Sequence, residues 1–470
     1  MESEHDLRVS TGLKGMDEVL GGGLMPGGLY VVRGRAGAGK TTLGLQFLLD
    51  GTARGERALY VSLDHSRKTL QSIARSHRWS LDRLVIHCAE DSATLPAAGQ
   101  TIFAGVDVEL ADYFGVLHRT VEAATPRRVV FDSVAALRLV ARDANSIRRE
   151  LQRFKRYLSE RACTTLLLDA GVDSSIDAHL DALADGVILL ESRTREFGGT
   201  RRLALITKMP GVAFRDGYHD YRIGSEGVVL FPRLIANDDA RAVTHETVSS
   251  GLPALDEMLG GGIDRGTCVV LAGPSGVGKS GLAARVAAAA AERDDPVALY
   301  LFDEQSYTWL VRADGLGIRL RPHLASGRMR MRALAPGEWT PGEFADSVRR
   351  AVEEDHARMI VIDGHRGYRH AMLDDPFATQ QLGELACYAR ERGVILFVLA
   401  AEDLELGYMD DSAIVFRRYR TAGDVRTAIR VLKRRTQAHR SELRDFRLGP
   451  PEGVAIGAPV AEIRMDPFDP

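Results

Sequence analysis

Two short stretches carry the residue types that phosphate chemistry needs: GRAGAGKT (Gly34–Thr41) and GPSGVGKS (Gly273–Ser280). Each fits Gly-x4-Gly-Lys-Ser/Thr, a spacing in which backbone N–H groups wrap the phosphates of a nucleotide. Gly34, Gly37 and Gly39, with Gly273, Gly276 and Gly278, let the backbone approach closely. Lys40 and Lys279 are placed to reach the β- and γ-phosphates of ATP, with Thr42 a further phosphate contact. Thr41 and Ser280 are placed to ligate Mg2+.

A metal at such a site calls for an acid at the end of an apolar strand. RRVVFD supplies Asp132 and RMIVID supplies Asp363, although a strand-ending Asp also caps helices. Hydrolysis further calls for a group that orients and deprotonates water. Aligning ALYVSLDHS with ALYLFDEQS pairs Asp64 with Glu304 and His65 with Gln305. On that pairing Glu304 has the reach of a general base, and Asp64 is one methylene shorter.

The elements that must position these residues come in duplicate. Residues 10–43 align without gaps on 249–282, with 16 of 34 positions identical, which marks a duplicated domain. Each copy reads as strand, phosphate loop and helix, followed by short apolar runs such as ALYVSL, RVVFD and TLLLD in the first and ALYLF, MIVID and VILFVLA in the second. Runs of this kind without alternation are strands covered on both faces, which predicts an α/β fold with a mainly parallel sheet in each copy. The expected domains are 1–240 and 241–455 with a tail at 456–470, and the Pro-rich stretch beyond Gly449 is expected to be loosely ordered.

Composition narrows the function. A net charge of −3 provides no electrostatic footprint for nucleic acid. Cys88, Cys163, Cys268 and Cys387 lie far apart, so buried reduced thiols are expected rather than a zinc site or disulfides. The opening MESEHDLRVS has no basic region followed by an apolar core, and no apolar run approaches about 18 residues, so a cytoplasmic protein without membrane contact is expected. Only seven of 61 basic residues are lysine, at 14, 40, 68, 155, 208, 279 and 433. Where lysine persists, a compact ammonium is favoured over a planar fork.

The chain resembles the KaiC family of circadian-clock ATPases and kinases from about residue 10 to 450. The GLxxLDExLGGG-type openings, both phosphate loops, FDSVAAL and LKRRTQAHRSELRDF carry the likeness. The resemblance implies two tandem RecA-like domains, ATP between subunits of a homo-hexameric double ring, and a signalling or timing switch with an unidentified protein partner. It also implies that Lys433 and Arg435 reach a neighbour's γ-phosphate, and that Lys208 does so in the first copy, where Pro210 replaces the arginine. Paired glutamates in the family stand as Asp64-His65 and Glu304-Gln305, so hydrolysis is expected mainly in the second domain. The family's Ser-Thr phosphorylation pair falls on Gly407 and Tyr408, which makes autokinase activity doubtful and leaves Ser412 as the nearby hydroxyl. A RecA-like DNA-dependent motor is the rival reading, and a nucleotide-binding scaffold with negligible turnover a third.

Overall fold

The computed structural model describes residues 8–88, 110–135, 144–171, 175–194, 198–235, 246–372, 377–401, 410–421, 424–449, 453–460 and 464–465. The chain divides into two compact units at Arg233/Leu234. The expected join at 240/241 lies outside the described residues.

The first unit is built on β1 (Leu29–Gly34), β2 (Ala58–Ser62), β3 (Val85–Cys88), β4 (Arg128–Asp132), β5 (Thr164–Asp169), β6 (Gly186–Arg193), β7 (Arg201–Lys208), β8 (His219–Gly224) and β9 (Gly227–Phe231). Their order is β3-β2-β4-β5-β1-β6-β7-β8-β9, parallel as far as β6 and antiparallel from β7 onward. The side-chain period of two divides the central strands between two cores. Tyr30, Val32, Tyr60, Val130, Leu166 and Leu168 pack on the face that carries the phosphate-loop helix Lys40–Ala53. Val31, Leu59, Val61, Val129 and Leu167 pack on the other. Both faces are therefore dry, as the apolar runs require.

The second unit opens with a two-residue antiparallel pair, β10 (Thr247–Val248) and β11 (Ile263–Asp264). Its main strands are β12 (Cys268–Ala272), β13 (Val297–Leu301), β14 (Met329–Ala333), β15 (Met359–Asp363), β16 (Ile395–Ala400), β17 (Ser412–Thr421), β18 (Asp424–Arg434), β19 (Arg444–Gly449) and β20 (Gly453–Pro459). The order β14-β13-β15-β16-β12-β17-β18-β19-β20 repeats the first sheet, and β21 (Arg464–Met465) pairs with β17. These are two tandem RecA-like α/β domains. Ala287–Ala291 are all buried in the second phosphate-loop helix, whose small side chains admit the sheet closely.

Two expectations are corrected here. The segment beyond Gly449 is not loose as far as residue 459: β20 pairs with β19, because Val454 and Ile456 place apolar side chains against the core. A domain end at 455 would cut that strand. Among the cysteines, all four are free thiols, but Cys387 is only half-buried.

One buried cation ties the first unit together. Arg128 is 1 % exposed and donates to the carbonyls of Ser10 and Phe47 at 2.9 and 2.8 Å, to Asp50 at 3.0 Å and to Glu56 at 2.5 Å. Arg128→Met strands two carbonyls and two acids, which are themselves partly hydrated, so a loss of about 3 kcal/mol is expected. Calorimetry should place the first unit's transition well below that of wild type, whereas the exposed Arg57→Met should leave it within about 0.5 kcal/mol.

Candidate functional site

Each phosphate loop links the central strand to a helix whose first residue is the lysine. Gly39 and Gly278 precede those helices at φ 90° and 102°, the left-handed region that glycine tolerates. Both are also covered. A Cβ on Gly39 would lie 2.5 Å from Ile223 Cδ1, and one on Gly278 would lie 2.6 Å from Leu448 Cδ1.

The lysines close the loops. Lys40 Nζ donates to the carbonyls of Gly34 and Arg35 at 2.7 and 3.1 Å, and Lys279 Nζ to those of Gly273 and Pro274 at 2.5 and 2.8 Å. Burial pushes the Lys40 ammonium down from its ordinary value, against the opposing charges of Asp132, Asp169 and Asp64. Tyr221 O–H donates to the Ala38 carbonyl at 2.6 Å, and Arg418 donates to that of Ser275 at 2.7 Å. Neither brace was identifiable from the motif, since each arrives from a distant strand.

The strand-end acids face these loops. In the first domain Thr41 Oγ1 donates to Asp132 Oδ2 at 2.9 Å, and the Tyr60 hydroxyl donates to the same oxygen at 2.5 Å. A cavity of about 400 Å³ adjoins them, lined by Gly37, Gly39, Lys40, Thr41, Thr42, Asp64, His65, Asp132 and Ser133 among others. In the second domain Asp363 is buried, and Trp309 Nε1–H donates to its Oδ2 at 2.8 Å.

The register of the sheets corrects the pairing of the two copies. Ser62 lies opposite Asp132, and Leu301 lies opposite Asp363. The Leu63 N–H donates to the Asp132 carbonyl, as the Phe302 N–H does to that of Asp363. Asp64 therefore corresponds to Asp303, and His65 to Glu304. The repeated Ala-Leu-Tyr is a coincidence one residue out of step: Tyr60 faces the phosphate-loop helix, whereas Tyr300 packs in the opposite core.

This shift changes which acid stands at the second site. Asp303 reaches in so closely that a Cβ on Gly364 or Gly367 would lie 2.1 or 2.0 Å from its carboxylate oxygens. Burial, then the charges of Asp363 and Glu304, hold its carboxyl above the ordinary range, with Arg366 and Lys279 opposing. Asp64 occupies the matching place beside Ser133, whose hydroxyl donates to it. Glu304, expected to act as the base, is instead held by both terminal nitrogens of Arg312, in the last turn of the helix Ser306–Gly315. Sequence reasoning missed Asp303, and the ungapped spacing from the phosphate loops was the signal for it.

The family-derived cations are placed as follows. Lys208 Nζ donates to the carbonyls of Asp181, Ala182 and Ala184 at the end of the helix Ser175–Leu183. Lys433 pairs with Asp410 at 3.0 Å, and Arg435 is exposed just beyond β18. Ser412 is buried at the start of β17, while Gly407 and Tyr408 lie outside the described residues. No helix among the described residues is long and apolar enough to cross a membrane.

Fold and loops together define a tandem RecA-like protein of the P-loop nucleotide-binding class. A family model described as "ATPase: KaiC" matches residues 9–235 and 248–461. The chain belongs to the KaiC ATPase family. Among curated relatives, the circadian clock protein KaiC2 of Synechocystis sp. is 25% identical over 94% of this chain and 80% of its own length. The circadian clock oscillator protein KaiC of Synechococcus elongatus is 24% identical over 94% of this chain and 88% of its own. The circadian clock protein KaiC3 of Synechocystis sp. is 21% identical over 97% and 93%.

Because Gly278 combines positive φ with a covering side chain, Gly278→Ala adds about 1–3 kcal/mol of local strain, or roughly 5- to 150-fold in nucleotide affinity at that loop. Equilibrium binding of a fluorescent ATP analogue should register this loss. Gly315→Ala, whose Cβ would meet nothing within 4 Å, should bind as wild type does.

Proposed function

We propose that this protein is an ATP-hydrolysing ring of KaiC type, turning over ATP mainly in its second domain and using nucleotide state as a signalling or timing switch. The observation that carries the reading is the pair of lysine-closed phosphate loops, each facing a buried aspartate at the end of a parallel strand. Thr41 with Asp132, and Ser280 with Asp363, are the residues that would hold Mg2+; Thr41 and Asp132 already stand side by side, joined by a 2.9 Å hydrogen bond. Bound there, the ion would neutralise phosphate charge. The loop amides and Lys40 or Lys279 orient the phosphates.

Asp303 is the acid proposed to activate water. Its burial raises its basicity, and it adjoins Asp363, whereas Glu304 is engaged by Arg312. The preference for the second domain rests on the rim of the sheet. There Lys433, ion-paired with Asp410, and the surface Arg435 carry positive charge at the end of β18, while the first domain has Lys208 bound to helix carbonyls and Pro210, which has no donor. A ring of six subunits with ATP at each join fits this arrangement, and the similarity to circadian clock proteins supports the switch role. Burial of Ser412 argues against family-style autophosphorylation at that hydroxyl.

Steady-state ATPase tests the assignment. Asp303→Asn should lower turnover by about 10²- to 10⁴-fold. Glu304→Gln should keep most activity, and single-stranded DNA should not stimulate the wild type. Collapse in Glu304→Gln with Asp303→Asn intact would return the base to Glu304.

Assembly is read separately, by light scattering after size exclusion. Wild type with saturating ATP and Mg2+ should form the ring, because nucleotide bound at a join stabilises the assembled state by mass action. Lys40→Ala should weaken assembly as much as Lys279→Ala. A wild type that stays monomeric would sink the ring. Intact-mass measurement after incubation with Mg-ATP should show no added phosphate.

A further inference from the structure

His65 holds a place in the first site that the second site gives to Glu304, and the surrounding chain is built to present it. The Ser62 hydroxyl, wholly buried, donates to the His65 carbonyl at 2.7 Å and accepts from the His65 N–H at 3.1 Å. This clamp fixes the backbone of the residue and turns its ring over the phosphate loop. The second copy has Leu301 at the position of Ser62 and cannot make the clamp.

The ring nitrogen Nε2 stands 3.5 Å from Thr41 Oγ1 and 3.9 Å from Asp132 Oδ2, which are themselves 2.9 Å apart. A triangle with those edges has a point about 2.1 Å from all three atoms, the bond length of a small divalent cation to nitrogen or oxygen. With its proton on Nδ1, the imidazole offers the Nε2 lone pair to that point. Tyr60 O–H steadies the carboxylate from behind, as the supporting groups of metal ligands do. The donor set is thus one imidazole nitrogen, one hydroxyl and one carboxylate.

Mg2+ favours oxygen ligands, whereas first-row transition metals bind imidazole readily. We propose that His65 is a direct ligand of the first domain's nucleotide-bound cation, and that this site takes Mn2+ or a similar first-row ion in preference to Mg2+. The inference rests on the nucleotide-binding reading above and extends it: the two domains of one chain then differ in the metal they hold with ATP.

Pulsed electron paramagnetic resonance on the full chain tests it, with histidine labelled by 15N, unlabelled ATP analogue that resists hydrolysis, and Mn2+ as the probe. Uptake of Mn2+ and nucleotide is measured on the same samples. The expected result is a 15N coupling of directly bound imidazole in wild type that disappears in His65→Gln. In parallel, the concentration of Mg2+ needed to displace Mn2+ from the first site should fall about tenfold or more in that variant, since losing a ligand costs at least what losing its supporting group does. Uptake without the 15N coupling, or a coupling that persists in His65→Gln, overturns the proposal while leaving nucleotide binding standing. Absence of nucleotide uptake that requires Lys40, checked with Lys40→Ala, overturns the nucleotide-binding reading of this loop and the metal proposal together.

Discussion

A loop that binds phosphate through bare amides must hold those amides open and convergent before any phosphate arrives. Here the constraint is met by the lysine of each loop, which folds back on carbonyls at the loop's own start. The ammonium thereby ties the start of the helix to the residues where the loop begins. Positive φ at Gly39 and Gly278, and the roof formed by Ile223 and Leu448, are the geometric conditions of that closure. The antiparallel strands β7–β9 and β18–β20 supply the roof. The remote half of each sheet is therefore as necessary to the site as the strand that carries the loop.

Much of this was legible in the sequence because it is local. Loop glycines, the following helix, the apolar strands and the terminal Asp132 and Asp363 are each set by residues within about ten positions of one another. What escaped depended on partners far along the chain. Lys208 looked like a phosphate contact, yet its partners are carbonyls at a helix end more than twenty residues earlier. The pairing of Glu304 with Asp64 failed because a three-residue match outweighed an ungapped spacing; a slip of one residue sends every side chain to the other face of the sheet, and sequence similarity does not register faces. Arg128 has no local pattern that sets it apart in a chain rich in arginine, and only the fold surrounds it with four acceptors.

The two copies also diverge by compensation. Where the first domain steadies its strand-end acid with Tyr60, the second has Leu299 at the equivalent register and recruits Trp309 from the next helix. Where the first leaves room for Ser133 beside Asp64, the second has Gly364, and Asp303 fills the space. Each exchange keeps the acid oriented while altering what else stands near the phosphates. Duplication followed by such paired changes yields two sites of one architecture with different side chains around the phosphate loop.

The Trp309 contact has an optical consequence. The indole of Trp309 is 1 % exposed and hydrogen-bonded to a carboxylate expected to change its charge environment when nucleotide and metal arrive. Indole emission responds to the field along its N–H bond. The second site thus carries an indole hydrogen-bonded to its strand-end acid, and the first has a tyrosine in that role. A change of charge at Asp363 is in this way reported by an indole of the protein itself, without any label being attached.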